Sequence, residues 1–385
     1  MSLWDELVGQ EAAIEAVRRA AEPDSDAMTH AWMIVGPAGS GRSTLAHAFA
    51  ATLVNEGDVE QTLRHVVSGS HPDVAVLATD RVSISIDEVR ELVTQSYYAP
   101  STARYRVIII EDADRMTERT SNVLLKALEE PPPRTVWILC APSVQDVLPT
   151  IQSRVRTITL RTPTVDQVAE LIVRRHGVDT AIATQAAREA QCHIGMAMRL
   201  ATDEDARSRR DHTVKTVLGL ETVSTAVKAA AELISLATAD QKALLEKLDA
   251  EEREETLRTL GVATGAAVPA GLRGSVKALE ENQKRRATRS LRDGVDRIAT
   301  DITSILRDVL MIQLHTGVEL VNERFRADLE ERAGKTTAEH TLYAIDQIQV
   351  ARDRIAGNTP PQLALEAMLI AITGRIPMEL IEPRR

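Results

Sequence analysis

The chain has 385 residues, a formal net charge of −10, and 44% hydrophobic against 26% charged residues. That is globular composition with room for two or three domains, and it argues against a disordered or fibrous chain. An acidic chain is also a poor candidate for holding duplex DNA alone through a broad basic face, because such binding draws on phosphate neutralisation. Aromatic residues make up only 2%, so the core must be built from Ala, Leu, Val and Ile, a bias that suits close-packed helices. The two cysteines, Cys140 and Cys192, cannot form a four-cysteine zinc site, and a lone disulfide is not expected inside a cell. The opening stretch MSLWDELVGQEAAIEAVRRAA is amphipathic and acidic at its start, unlike a secretory signal. No apolar run reaches membrane-spanning length, so the expected compartment is the cytoplasm.

Taken in chain order, Leu7, Ile14, Val17 and Ala20 fall near helical spacing and predict a helix over 5–21. Ala31 to Val35 reads as a buried strand. It runs into Gly36-Pro37-Ala38-Gly39-Ser40-Gly41-Arg42-Ser43-Thr44 and then an Ala-rich helix to about Asn55. Strand, glycine-rich turn and helix is the order a phosphate loop requires. A second buried strand spans Tyr105 to Ile110 and a third Val136 to Cys140. Between them a helix over Thr117 to Glu130 is stopped by Pro131-Pro132-Pro133. Strands alternating with helices predict a mostly parallel sheet covered on both faces. After Pro163 the pattern turns helical, with helices expected over Val165 to Arg175 and Thr184 to Ala201. Long helices follow from about residue 207, interrupted at Gly261 to Gly274 and at Gly357 to Pro361. The charge run Glu280 to Arg289 reads as a solvated helix face.

Three motifs carry the chemistry. Gly36 to Ser43 fits the spacing G-x-x-x-x-G-K-[ST] except that Arg42 stands where lysine belongs. The glycines let backbone N–H groups curl around phosphates, the following helix adds positive potential, and the Ser43 hydroxyl would ligate magnesium. A planar guanidinium does not replace a compact ammonium there. Val107 to Ile110 followed by Glu111-Asp112 has the form of a magnesium-binding strand end, but with the usual Asp-Glu order reversed. Exchanging the two displaces both carboxylates by about a bond length, and errors on the order of 1 Å can cost about a hundredfold in rate. The third motif is Leu148-Pro149-Thr150-Ile151-Gln152-Ser153-Arg154-Val155.

Here the chain resembles the AAA+ ATPases of clamp loaders, whose Ser-Arg-Cys signature follows a Leu-Pro turn; Val155 replaces the cysteine. The resemblance implies that Arg154 is an arginine finger reaching a neighbouring subunit's ATP, a role in which a guanidinium can contribute about 10³–10⁵ in rate. Without the other motifs Arg154 would read as an ordinary surface arginine. Val8-Gly9-Gln10, Thr29-His30-Ala31-Trp32, and the stretch Ser121 to Pro132 (SNVLLKALEEPP) extend the likeness, as do Lys284 to Arg292 and Leu363 to Leu369. Together they resemble the delta-prime family of DNA polymerase III clamp loaders, of actinobacterial type. There are departures. The four-cysteine zinc module expected after the loop helix has no cysteine in Asn55 to His71, so no zinc is expected. The sensor position offers at best Ser143. Arg199, in Gly195-Met196-Ala197-Met198-Arg199, matches a second sensor that would contact nucleotide, or is a plain helix-surface charge.

The expected architecture is α/β: an AAA+ phosphate-loop domain with a parallel sheet over 1–161, a small helical lid over 162–206, and an all-α collar over 207–385 that mediates assembly. What the resemblance implies is a stator subunit, with no tightly bound cofactor of its own, in a ring with gamma/tau and delta subunits. ATP and magnesium would sit on the neighbour, and the sliding clamp and primer-template DNA would be reached through the complex. Two rivals stay open: a working AAA+ motor, of the gamma/tau or branch-migration type, and a pure scaffold with neither nucleotide nor finger.

Overall fold

The computed structural model describes residues 4–23, 25–79, 83–238, 273–357 and 359–374, with side chains for all of these except 273–290 and 293. They form two compact units, Met1–Glu204 and Asp205–Arg385.

In chain order the first unit runs α1 (Glu11–Ala21), β1 (Ala31–Val35), α2 (Arg42–Val54), α3 (Val59–Val67), β2 (Val74–Leu77) and α4 (Ile86–Ser96). It continues with β3 (Arg106–Ile110), α5 (Glu118–Glu129), β4 (Thr135–Ala141), α6 (Pro149–Gln152) and β5 (Arg156–Thr159). Three helices close it: α7 (Val165–His176), α8 (Thr180–Glu189) and α9 (Ile194–Thr202). The strands make one sheet in the order β2-β3-β4-β1-β5, and every pairing is parallel. β1, β3 and β4 are buried along their whole length, as apolar runs covered on both faces must be. Alternate residues supply the two cores. Trp32, Ile34, Val107 and Ile109 pack with Val17 and Phe49 on one side. Met33, Val35, Ile108 and Ile110 pack with Val89 and Leu124 on the other. The Trp32 ring meets Phe49 edge-on, with centroids 5.2 Å apart, and its indole N–H donates to Thr29 O.

Two expected elements come out differently, and two strands are additional. The helix expected from residue 5 begins at Glu11, because Gln10 is held elsewhere: its side-chain amide donates to Arg161 O and accepts from Arg161 N (2.7 and 3.1 Å). The single helix expected over Thr184 to Ala201 is two, α8 and α9, broken where Gln191 and Cys192 both take positive φ. β2 and β5 are not among the expected strands. They are the two sheet edges, each paired on one side only and partly exposed.

The second unit is helical throughout its described residues. It comprises α10 (Glu204–Leu218), α11 (residues 223–238), α12 (Arg273–Gln313), α13 (Arg326–Lys335), α14 (Ala338–Ala356) and α15 (Pro361–Ile372). Its apolar core draws on Val214, Ala230, Ile302, Ile348 and Leu369. A buried polar cluster sets its register. Asp308 accepts from the backbone N–H groups of Val321 and Asn322, and Arg210 reaches Asp301 and Asn322. The helices expected to form a separate lid, α7 to α9, fall within the first unit. Most of the Gly261 to Gly274 segment lies outside the described residues, as do the side chains of the Glu280 to Arg289 charge run.

Candidate functional site

Parallel strands deliver the loops that follow them to one edge of a sheet, which is where ligands bind in open α/β folds. β1 ends at Val35 and leads into Gly36–Thr44; β3 ends at Ile110 and leads into Glu111 and Asp112. β4 lies between them, with Cys140 opposite Ile34. The loop turns on left-handed glycines, Gly39 at φ 75° and Gly41 at φ 96°, the latter being the residue from which α2 starts. Pro37 O accepts from Ser40 N, and Ala38 lies between them in the turn. Ser43 and Thr44 fall in the first turn of α2.

The chain's own side chains fill this site. Arg42 folds back so that its Nη1 donates to Gly36 O at 2.8 Å. A Cβ built on Gly39 would lie 2.3 Å from His193 Cγ, and one on Gly41 2.8 Å from a methyl of Leu7. The imidazole and the leucine are therefore seated directly on the loop. Glu111 Oε1 lies 3.1 Å from His47 Nε2, a close approach that is not an aligned hydrogen bond, since that nitrogen has no hydrogen-bond partner. Asp112 accepts from Thr79 N (3.3 Å) and lies 3.8 Å from Arg115. Burial, and then the neighbouring Asp112 charge, raise the Asp114 carboxyl above the usual range, against Arg115 and Arg42. Burial chiefly pushes the Cys140 thiol up to about 12, and Glu111 adds to the effect. Ser40 Oγ is buried without a partner among the described residues, a group that a hydrogen-bonding ligand would satisfy.

The positions a nucleotide with magnesium would use are taken by the chain's own side chains. The Gly39 face is covered by His193, and the first acid faces His47. The two sensor positions also have other partners. Ser143 caps a short turn by accepting from Gln145 N, and Arg199 Nε lies 3.7 Å from Asp203 on the same helix.

Arg154 lies at the opposite end of the sheet. It follows α6 and precedes Arg156, which pairs with Trp32 near the start of β1. A five-residue strand spans on the order of 15 Å, farther than an arginine side chain reaches, so Arg154 cannot serve its own loop. Its Nε and Nη2 donate to Glu129 Oε1 (3.0 and 2.5 Å), and its Nη1 donates to Thr150 O and Ser153 Oγ (2.7 and 3.0 Å). The fold thus brings Gly36–Thr44, Glu111 and Asp112 to one edge and sets Arg154 apart. Sequence reasoning missed the partners His47, Glu129 and His193. His47 carried a faint signal, one turn beyond Ser43 on the same helix; the others are distant in the chain.

Residues 9–164 match the family described as DNA polymerase III, delta subunit. Similar proteins include the gamma/tau subunit of Mycobacterium tuberculosis DNA polymerase III, 32% identical over 39% of this chain and 27% of that one. The delta' subunit from Pseudomonas aeruginosa is 34% identical over 32% of this chain and 41% of that one. The chain therefore spans less than half the length of these relatives. Among solved structures, a gamma-subunit-related protein from Thermotoga maritima aligns over 95% of this chain and 99% of its own, with TM-score 0.46 and 16% identity. Over residues 9–164, the chain is thus similar to the delta, delta' and gamma/tau subunits of DNA polymerase III.

Proposed function

We propose that this chain is a delta'-type, non-hydrolysing subunit of the clamp loader, whose contribution to ATP chemistry is Arg154, given in trans to a neighbouring gamma/tau-type ATPase. The observation that carries the reading is the separation of the two sites. The only motif arginine with finger chemistry stands at the sheet end remote from its own loop, on a partly exposed turn. A guanidinium there can neutralise charge on a transferring phosphoryl only if a neighbour presents one. Its fork-shaped donor set suits that task better than an ammonium would.

The chain's own loop supports the non-hydrolysing half of the reading. Arg42 is tied to the loop backbone and Glu111 faces His47, so neither is positioned on phosphate or metal. A working motor of the gamma/tau type, to which the sequence is also similar, needs both groups free. In the assembly the second unit, with its long helices, would supply the packing face toward gamma/tau and delta partners, and the clamp and primer-template DNA would be engaged through the whole complex.

A mixing experiment tests this. The purified chain alone should turn over no ATP, and adding it to a competent gamma/tau and delta mixture should raise their turnover. Hydrolysis by the isolated chain, or no effect on the mixture, would contradict the proposal.

A further inference from the structure

We infer that His193 is the lid residue of this nucleotide site, and that it latches the lid onto the phosphate loop so that nucleotide must displace it to enter. The inference rests on reading Gly36–Thr44 as a phosphate loop and is independent of Arg154.

Several observations converge on the same contact. An ideal Cβ on Gly39 would lie 2.3, 2.6 and 2.6 Å from His193 Cγ, Cδ2 and Nδ1, so the ring occupies the space that the missing side chain leaves. The neighbouring backbone joins in, with Ile194 N donating to Gly39 O at 3.4 Å. The ring is not free to swing, because its Nδ1 accepts from Met196 N at 3.3 Å and so caps α9. The chain is also bent to deliver it. Gln191 and Cys192, at φ 50° and 62°, are consecutive non-glycine residues in the left-handed region, a conformation that persists only where surrounding contacts hold it. Cys192 N donates back to Ala187 O, closing the end of α8, so α9 starts against the loop rather than continuing α8.

The glycine that would let a backbone wrap phosphate is thus used to seat an imidazole, and the first amide of α9 is directed at a loop carbonyl. Nucleotide and latch compete for one face. Reciprocity then requires that removing the ring strengthens nucleotide binding and that nucleotide loosens the lid.

The test uses the full chain, titrated with a fluorescent ATP analogue and magnesium, beside backbone hydrogen exchange over 36–44 and 191–196. His193→Asn keeps a good helix cap and removes the ring; His193→Ala removes both. Both variants should bind the analogue about tenfold tighter than the parent and exchange faster at 36–44. Equal measurable affinities in parent and variants would overturn the latch. If none of the three binds, exchange decides: faster exchange at 36–44 in His193→Asn supports the latch, and unchanged exchange overturns it. ATP turnover by the parent would instead strike the non-hydrolysing reading, so the two failures are distinguishable.

Discussion

Arg154 and Glu129, 25 residues apart, are joined by two donors on a single oxygen: Nε and Nη2 of the arginine both reach Glu129 Oε1, at 3.0 and 2.5 Å. With Nη1 donating to Thr150 O and Ser153 Oγ, most of the guanidinium's five N–H groups are directed at its own chain. Arg154 is stowed against its own chain.

The stowing contact should nevertheless be weak. Both side chains are partly exposed, and ion pairs of that kind contribute about 0–1 kcal/mol. Glu129→Gln should therefore lower the stability of the chain by no more than about 1 kcal/mol in a urea melt. A loss of several kcal/mol would make the pair structural and would argue that Arg154 is not available to a neighbour.

Restoring the missing lysine should not restore an ATPase. Arg42→Lys supplies the ammonium, but Glu111 still faces His47 and His193 still covers Gly39. We expect turnover by the isolated Arg42→Lys chain far below the roughly 1 s⁻¹ end of ordinary enzyme rates. A variant that approaches that rate, and loses it on Ser43→Ala, would show that the lysine alone was lacking.

Asp73 gives the first unit an acid-sensitive anchor. Burial alone would raise its carboxyl, but the backbone N–H groups of Ala103, Ser101 and Thr102, with Arg106, outweigh burial and hold it at about 2 against an ordinary 3.8. A depressed folded-state value means that the stabilisation is complete above about pH 4 and is lost as pH falls toward 2. It amounts to about 2 kcal/mol. Asp73→Asn should lose that amount at pH 7 and flatten the fall in stability between pH 4 and 2. Parallel stability curves for the two chains would contradict the assignment.

Metal content is a further check on how far the chain departs from its relatives. Asn55 to His71 holds His65 and His71 but no thiol, and His71 Nδ1 accepts from Asp73 N. Two histidines do not complete a closed zinc site of four ligands. Elemental analysis should find no zinc retained against a chelator, and about one zinc per chain would refute this.

What the sequence discloses follows the strength of local signals. β1, β3 and β4 are legible because a centrally placed parallel strand is apolar on both faces. β2 and β5 are not: β2 is apolar but only four residues long and partly buried, and β5 buries only Ile158. The phosphate loop and the Glu111-Asp112 pair are legible from spacing, since loop and strand end are local devices. The split between α8 and α9 is hidden because its residues have ordinary helical composition; the left-handed Gln191 and Cys192 end α8 with Cys192 N on Ala187 O. Glu129 and His193 escape notice for the same reason, being defined by what they touch and not by neighbours in the chain.

The central claim, that Arg154 acts on a neighbour's nucleotide, is tested most directly by clamp loading onto primed DNA with a loader assembled around the Arg154→Ala chain. Loading should need every ATP site to fire, so it should fall steeply. Total hydrolysis should fall less than the roughly 10³-fold or more expected at a single site, because the other sites remain intact. Arg154→Lys should rescue little, since it keeps the charge and loses the planar fork. The isolated chain should fold and the loader should assemble as before. If the Ala variant assembles normally and loads clamps at the parental rate, Arg154 is a surface charge, and the chain is a scaffold without a finger.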